Sequence, residues 1–208
     1  MSLVVLISGR GSNMRALVEA GLPVSAVISN RADAAGLTYA AAQGIATHVV
    51  AHTDFASREL FDTALAAQID QYAPRVVALA GFMRILTPAF VARYVHRLVN
   101  IHPSLLPSFT GLDTHARALA AGVCVHGCTV HLVTAALDHG PIIAQAAVAV
   151  RRDDTPARLA ERVLVQEHRI FPQAVRWMLE SRVRVQDEQV HVRDANVSAQ
   201  ALCVPDVE

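Results

Sequence analysis

Short runs of branched apolar residues alternate with helix-like segments, and this alternation limits the chain to very few architectures. Leu3-Val4-Val5-Leu6-Ile7 opens the series, and further strand-like runs fall at 24–29, 46–50, 75–80 and 97–101. Helical segments are expected between them at 12–20, 35–43, 56–71 and 87–95, with another at 114–121. Continuous apolar runs rather than alternating ones mark strands buried on both faces, so the expected fold is α/β, a mostly parallel sheet with helices on both faces. The pattern then changes. Residues 124–133 and 142–150 are strand-like runs joined by a short loop without a helix, which makes them antiparallel and the sheet mixed. A long helix is expected from about 156 to 180, with Thr155 as its cap and Pro156 at its first position. Pro172 is expected to kink or split it. Residues 182–192 alternate around a polar turn, as in a small hairpin. One domain is expected over 1–194, with a poorly ordered tail at 195–208.

The chain has 208 residues, enough for one full α/β domain and too few for two comfortable ones. No apolar run approaches a membrane span, and the first strand begins without a basic segment or cleavage site, so a cytoplasmic protein is expected. Net charge is zero, which argues against a nucleic-acid partner. All 18 basic residues are arginine, which removes Schiff-base and Walker-type lysine chemistry. Three cysteines, Cys124, Cys128 and Cys203, do not make a disulfide framework. Cys124, His126 and Cys128 would share a strand face, a superficial likeness to a metal site. A structural zinc wants four ligands, and buried thiols are the better reading.

Asn100-Ile101-His102-Pro103-Ser104-Leu105-Leu106-Pro107 carries the clearest chemical signal. Residues two apart in a strand point the same way, so Asn100 and His102 project together at a strand's carboxyl end, where open α/β sheets place ligands. A carboxamide beside an imidazole suits a reaction that builds negative charge on oxygen. Two prolines stiffen the exit loop. Either side chain could instead be a satisfied polar residue at a strand end.

Other segments are more ambiguous. Gly9-Arg10-Gly11-Ser12-Asn13 joins the first strand to the first helix and suits a phosphate monoester at free helix amides. The plainer alternative is an ordinary turn capped by Ser12 or Asn13. Met14 stands where a dinucleotide fingerprint needs glycine, and Asn30-Arg31 where it needs an acid. Asp138, in Thr134-Ala135-Ala136-Leu137-Asp138-His139, is either a turn cap or a partner for His102. Phe82, Met83, Ile85 and Leu86 are apolar for a loop, fit either for core packing or for the wall of a pocket taking a flat aromatic ligand. Arg58 and Glu167 read as ordinary helix-surface positions.

Taken together, Gly11-Ser12-Asn13, Ala80-Gly81-Phe82-Met83-Arg84-Ile85-Leu86, Asn100 to Pro107, and Leu137-Asp138 resemble the folate-dependent glycinamide ribonucleotide formyltransferase family. The resemblance runs from Val4 to about Asp194. It implies a Rossmann-like formyltransferase fold, 10-formyltetrahydrofolate as co-substrate, and the amino group of 5'-phosphoribosylglycinamide as acceptor. It places Asn100, His102 and Asp138 on catalytic positions, Gly11, Ser12 and Asn13 on the phosphate loop, and Glu167 at the ribose hydroxyls. Arg58, Met83, Arg84, Ile85, Leu86 and the loop Thr134, Ala135, Ala136, Leu137 and Asp138 fall on the folate site, which Asn100 also adjoins. The implied partners are small molecules, with neither nucleic acid nor membrane, and the implied state is monomer or homodimer.

The chain departs from the family after Pro107. Ser108 stands where many relatives carry a basic residue, Thr110 where they carry proline, and Asp113 where they carry histidine. None of these removes a catalytic group. The implied reaction is direct transfer through a tetrahedral intermediate, with Asn100 and protonated His102 facing the oxyanion and no need for a metal, nicotinamide or covalent enzyme intermediate. Rival readings are a formyltetrahydrofolate deformylase, expected to carry an additional amino-terminal domain, and a methionyl-tRNA formyltransferase, expected to carry a further carboxyl-terminal domain. A non-catalytic nucleotide-binding protein would explain Gly11-Ser12-Asn13 but not Asn100, His102 and Asp138 together.

Overall fold

The computed structural model describes residues 2–196 and 202–204. A seven-stranded sheet runs in the order β3-β2-β1-β4-β5-β6-β7. Its strands are β1 (Leu3–Ile7), β2 (Val24–Ser29), β3 (Ala46–Val49), β4 (Val76–Leu79), β5 (Leu98–His102), β6 (Val125–Leu132) and β7 (Ile142–Ala149). β1 to β5 are mutually parallel, whereas β6 is antiparallel to both β5 and β7. The helices are α1 (Ser12–Glu19), α2 (Ala35–Ala42), α3 (Arg58–Asp70), α4 (Pro88–Arg93), α5 (Thr114–Ala120) and α6 (Pro156–Leu179). β8 (Val183–Gln186) and β9 (Gln189–Val192) form the expected hairpin. The expectation for a poorly ordered tail falls largely outside the described residues.

β1 shows why continuous apolar runs belong in the middle of such a sheet. Leu3, Val5 and Ile7 join one core with α6 residues Leu159, Val163, Phe171 and Val175. Val4 and Leu6 join the other, with Phe61, Leu65 and Ile69 of α3 and Phe90 of α4. Each such side chain contributes about 1.5–3 kcal/mol on burial, and the two cores fix the sheet's faces.

Two glycines set how closely the first two connections pack. Gly11 ends the β1–α1 turn at φ 72°, and an added Cβ would lie 3.0 Å from the Gly36 Cα. A Cβ on Gly36 would lie 2.6 Å from Ile7 Cδ1. The loop after β1 therefore rests directly on α2.

One expectation is corrected. Pro172 does not split the long helix, and α6 runs unbroken from Pro156 to Leu179. A proline forfeits one backbone hydrogen bond, but Pro172 is itself buried, with Phe171, Ala174 and Val175 beside it in the core. At the other end Thr155 caps the helix as expected, accepting from the Arg158 amide.

The strand order reverses between β1 and β4. β2 and β3 lie to one side of β1, and β4 and β5 to the other. Open α/β sheets bind ligands outside the carboxyl ends of the strands at such a switch point, and here the loops after β1 and β4 lie there.

Candidate active site

β5 and β6 place the polar cluster. Asn100 pairs with His131 across the antiparallel ladder, and His102 pairs with Thr129, so these four side chains share one face at the end of β5. The Asn100 Nδ2 lies 3.2 Å from His131 Nε2. His131 Nδ1 lies 3.0 Å from the Leu132 carbonyl, and burial lowers its pKa, so a neutral ring donates from Nδ1 and accepts the Asn100 amide at Nε2. One Asn100 N–H is thereby fixed.

His102 is held from both sides. Its Nε2 is 3.0 Å from the Phe109 carbonyl and its Nδ1 is 3.5 Å from Asp138 Oδ2. Only an imidazolium donates toward both oxygens at once. Asp138 reaches this position through a left-handed backbone at φ 55°, and its Oδ2 also accepts the Gly111 amide at 2.8 Å. The carboxylate therefore caps another loop rather than its own turn. Its Oδ1 stands 3.9 Å from His131 Nε2. All three titratable groups, His102, His131 and Asp138, are buried, so the field of each acts at low dielectric.

The loop after His102 is pinned by more than its prolines. Thr129 Oγ1 donates to the Ser104 carbonyl and accepts the Leu106 amide, while Gln145 Nε2 donates to the Leu106 carbonyl. Ser104 Oγ donates to the Ser108 carbonyl at 2.6 Å. Thr114 Oγ1 donates to the Pro103 carbonyl. Ser108, Thr110 and Asp113 lie in a stretch held mainly through its backbone, with Arg117 donating to the carbonyls of Thr110 and Leu112. Asp113 takes a left-handed conformation at φ 54°, which a short polar side chain tolerates.

Behind this loop lies a second pair of histidines. His115 Nδ1 is 3.1 Å from His126 Nε2, and the rings meet edge to face. Burial, then the charge of His115, pushes His126 down to about 4, and burial also lowers His115. His126 thus pairs with His115 rather than with the cysteines. Cys124 is exposed ahead of β6, and Cys128 is buried in the core.

The β1–α1 loop is not an ordinary capped turn. Gly11 is the cap residue, and no side chain caps the helix. Asn13 instead sends its Nδ2 to Glu167 Oε2 at 2.6 Å, joining α1 to α6. Glu167 is buried, and that burial raises its pKa against the opposing Asn13 bond. Burial, then the Glu167 charge, raises the nearby Cys128 thiol to about 12, so it is no nucleophile. Ser12 opens α1 half-buried beside Gly11.

The β4–α4 loop presents apolar side chains to solvent. Met83 is 68% exposed and Ile85 57%, while Leu86 is buried and the Arg84 guanidinium stands 5.8 Å from the Phe61 ring centroid. Thr134 is half-buried, Ala135, Ala136 and Leu137 are exposed, and Asp138 alone of that loop turns inward. Arg58 is exposed in the first turn of α3, behind the Ser57 cap. The fold thus unites Asn100, His102 and Asp138 in one cluster and Asn13 with Glu167 in another. His131, Thr129 and Gln145 escaped the sequence reading because only the β5–β6–β7 pairing reveals them.

A mostly parallel mixed sheet with an amide, an imidazole and a buried carboxylate gathered at the end of β5 is the Rossmann-like architecture of an enzyme. The sequence matches the formyl transferase family over residues 1–175, and the chain belongs to that family. It is 50% identical to phosphoribosylglycinamide formyltransferase of Escherichia coli (strain K12), covering 90% of this chain and 91% of that one. It is 45% identical to the trifunctional purine biosynthetic protein adenosine-3 of Homo sapiens, covering 88% of this chain and 19% of that protein. Among solved structures, the phosphoribosylglycinamide formyltransferase of Coxiella burnetii superposes with a TM-score of 0.89 at 47% identity, covering 92% of this chain and 93% of that one. The glycinamide ribonucleotide transformylase 1 of Symbiobacterium toebii gives 0.90 at 43% identity, over 93% and 94%. Among the described residues, no helix is long and apolar enough to cross a membrane.

Proposed function

We propose that this chain transfers the formyl group of 10-formyltetrahydrofolate to the amino group of 5'-phosphoribosylglycinamide, a step of de novo purine (IMP) synthesis in the cytoplasm. The observation that carries this reading is the convergence of Asn100, His102 and Asp138 at the end of β5. The family and the name of the Escherichia coli relative support the formyl transfer, and the name of the human relative supports purine biosynthesis.

In this reading the residues divide the work. The free Asn100 N–H and the His102 imidazolium donate to the formyl oxygen as it becomes an oxyanion. Asp138 supplies the counter-charge beside His102. The 3.5 Å separation is an ion pair rather than a short hydrogen bond, so the Nδ1–H, fixed in the ring plane, is only weakly engaged by Asp138 and can be shared with the oxyanion. The acceptor nitrogen forms its bond to the formyl carbon, and the bond to the folate nitrogen then breaks. The proton shed by the amine moves to that leaving nitrogen, with Asp138 as the carrier through water.

Gly11, Ser12 and Asn13 offer backbone amides at the start of α1 to the acceptor's phosphate. Glu167, oriented by Asn13, has its second carboxylate oxygen for the ribose hydroxyls. The exposed Met83, Ile85 and Leu137 suit a flat aromatic ring, and Arg58 suits an anionic tail. The test is the ultraviolet change as 10-formyltetrahydrofolate loses its formyl group, with and without phosphoribosylglycinamide. Loss only with acceptor, and recovery of the formylated product, is expected. Equal loss without acceptor would make the chain a hydrolase and overturn the reading.

A further inference from the structure

The loop between β4 and α4 is anchored at both ends by buried side chains that take no part in the cluster at β5. At its start, the Ser8 amide donates to the Gly81 carbonyl at 3.1 Å, and Ser8 Oγ accepts the Met83 amide at 2.8 Å. At its far end, Asp62 Oδ2 accepts the Thr87 amide at 2.6 Å. Ser8, Asp62 and Thr87 are all buried. Between these anchors, Met83 and Ile85 reach solvent.

Ser8 is itself held in one orientation. Its hydroxyl proton goes to Asn30 Oδ1 at 2.6 Å, which leaves its lone pairs for the Met83 amide. Asn30 is buried, and its Nδ2 lies 3.2 Å from His52 Nδ1 in the short 3-10 turn His52–Asp54. Met83 N–H donates to Ser8 and Ser8 O–H to Asn30, while His52 Nδ1 lies against both Asn30 Nδ2 and the Asn30 carbonyl, at 3.2 and 3.1 Å. Ser8 also immediately precedes Gly9, so the same residue that clasps the β4–α4 loop launches the β1–α1 loop.

We infer that Ser8, backed by Asn30 and His52, is a positioning residue that presets the β4–α4 loop for the folate donor and ties it to the phosphate loop. This rests on the assignment of Met83 to Leu86 to the donor. Losing this hydrogen bond to the loop's backbone lets the loop sample other conformations, so the donor has to reorder it on binding. The expected cost falls on donor affinity and not on the chemistry at β5.

The experiment compares Ser8→Ala with Ser8→Thr, which keeps the hydroxyl. It reads amide hydrogen exchange at Met83 in the free protein and KM for both substrates. In Ser8→Ala, faster exchange at Met83 and a donor KM raised about tenfold are expected, with kcat and acceptor KM within about twofold. Ser8→Thr is expected to restore both. Unchanged protection at Met83 in Ser8→Ala overturns the clasp. Faster exchange with an unchanged donor KM overturns the donor assignment of the loop while leaving the clasp standing, so the two failures are distinct. A fall in kcat alone, not rescued by threonine, also overturns the proposal. If Ser8→Ala does not fold, His52→Ala cuts the half-exposed end of the relay and is read in the same way, with a smaller rise expected.

Discussion

The corner at the end of β5 and the loop after β4 follow neighbouring parallel strands but are built on opposite plans. In the corner, His102 is 5% exposed and Asp138 8%, and nearly every polar atom already has a partner inside the protein. The loop exposes Met83 and Ile85 and is fixed only at its two ends. A corner made rigid by several mutually supporting bonds suits groups that must meet charge developing in a transition state without reorganising. A loop with free apolar side chains suits binding by area, where orientation is set by the ligand. Substitutions in the first should therefore lower kcat, and substitutions in the second should raise KM.

The largest effect expected is for Asp138→Asn, which keeps the shape and removes the charge beside His102. kcat should fall on the order of 100-fold or more, with melting temperature close to that of the parent. Next is His131→Phe, which removes the acceptor that fixes one Asn100 N–H. Steady-state kinetics should give a kcat lower by about tenfold with donor KM little changed, since a misoriented amide costs roughly one hydrogen bond in the transition state. Ile85→Ser breaks the comparison from the other side. Donor KM should rise about three- to tenfold with kcat preserved, because only apolar contact area is lost. A fall in kcat with unchanged KM there would erase the distinction between the two regions.

The smallest effect concerns stability and pH. His126 titrates at about 4 in the fold against an ordinary 6.5, chiefly through burial, so the unfolded chain binds the extra proton first. Stability from this residue is full above 6.5 and is lost as pH falls toward 4. Thermal melts at pH 7.5 and pH 5 should show a drop in the parent that shrinks in His126→Gln.

Much of this was legible before any coordinates. The continuous apolar runs announced a parallel sheet, the break in rhythm after residue 124 announced the antiparallel pair, and strand alternation alone put Asn100 and His102 on one face at the end of β5. Asp138 and Glu167 were not legible from their own surroundings. They stood out only by family resemblance, because a turn aspartate and a helix glutamate are usually solvated. His131 and Thr129 were hidden for a different reason. Their role exists only in the β5–β6 register, a long-range pairing that local patterns do not encode. Pro172 does not split α6, because burial among Phe171, Ala174 and Val175 offsets the backbone hydrogen bond it forfeits.

The most direct test is the single-turnover rate of formyl transfer by Asp138→Asn, with both substrates saturating and donor affinity measured alongside. A chemical step slower on the order of 100-fold at near-parental donor affinity is predicted. A parental rate in that variant would contradict the account, since the buried carboxylate beside His102 would then have no part in the transfer.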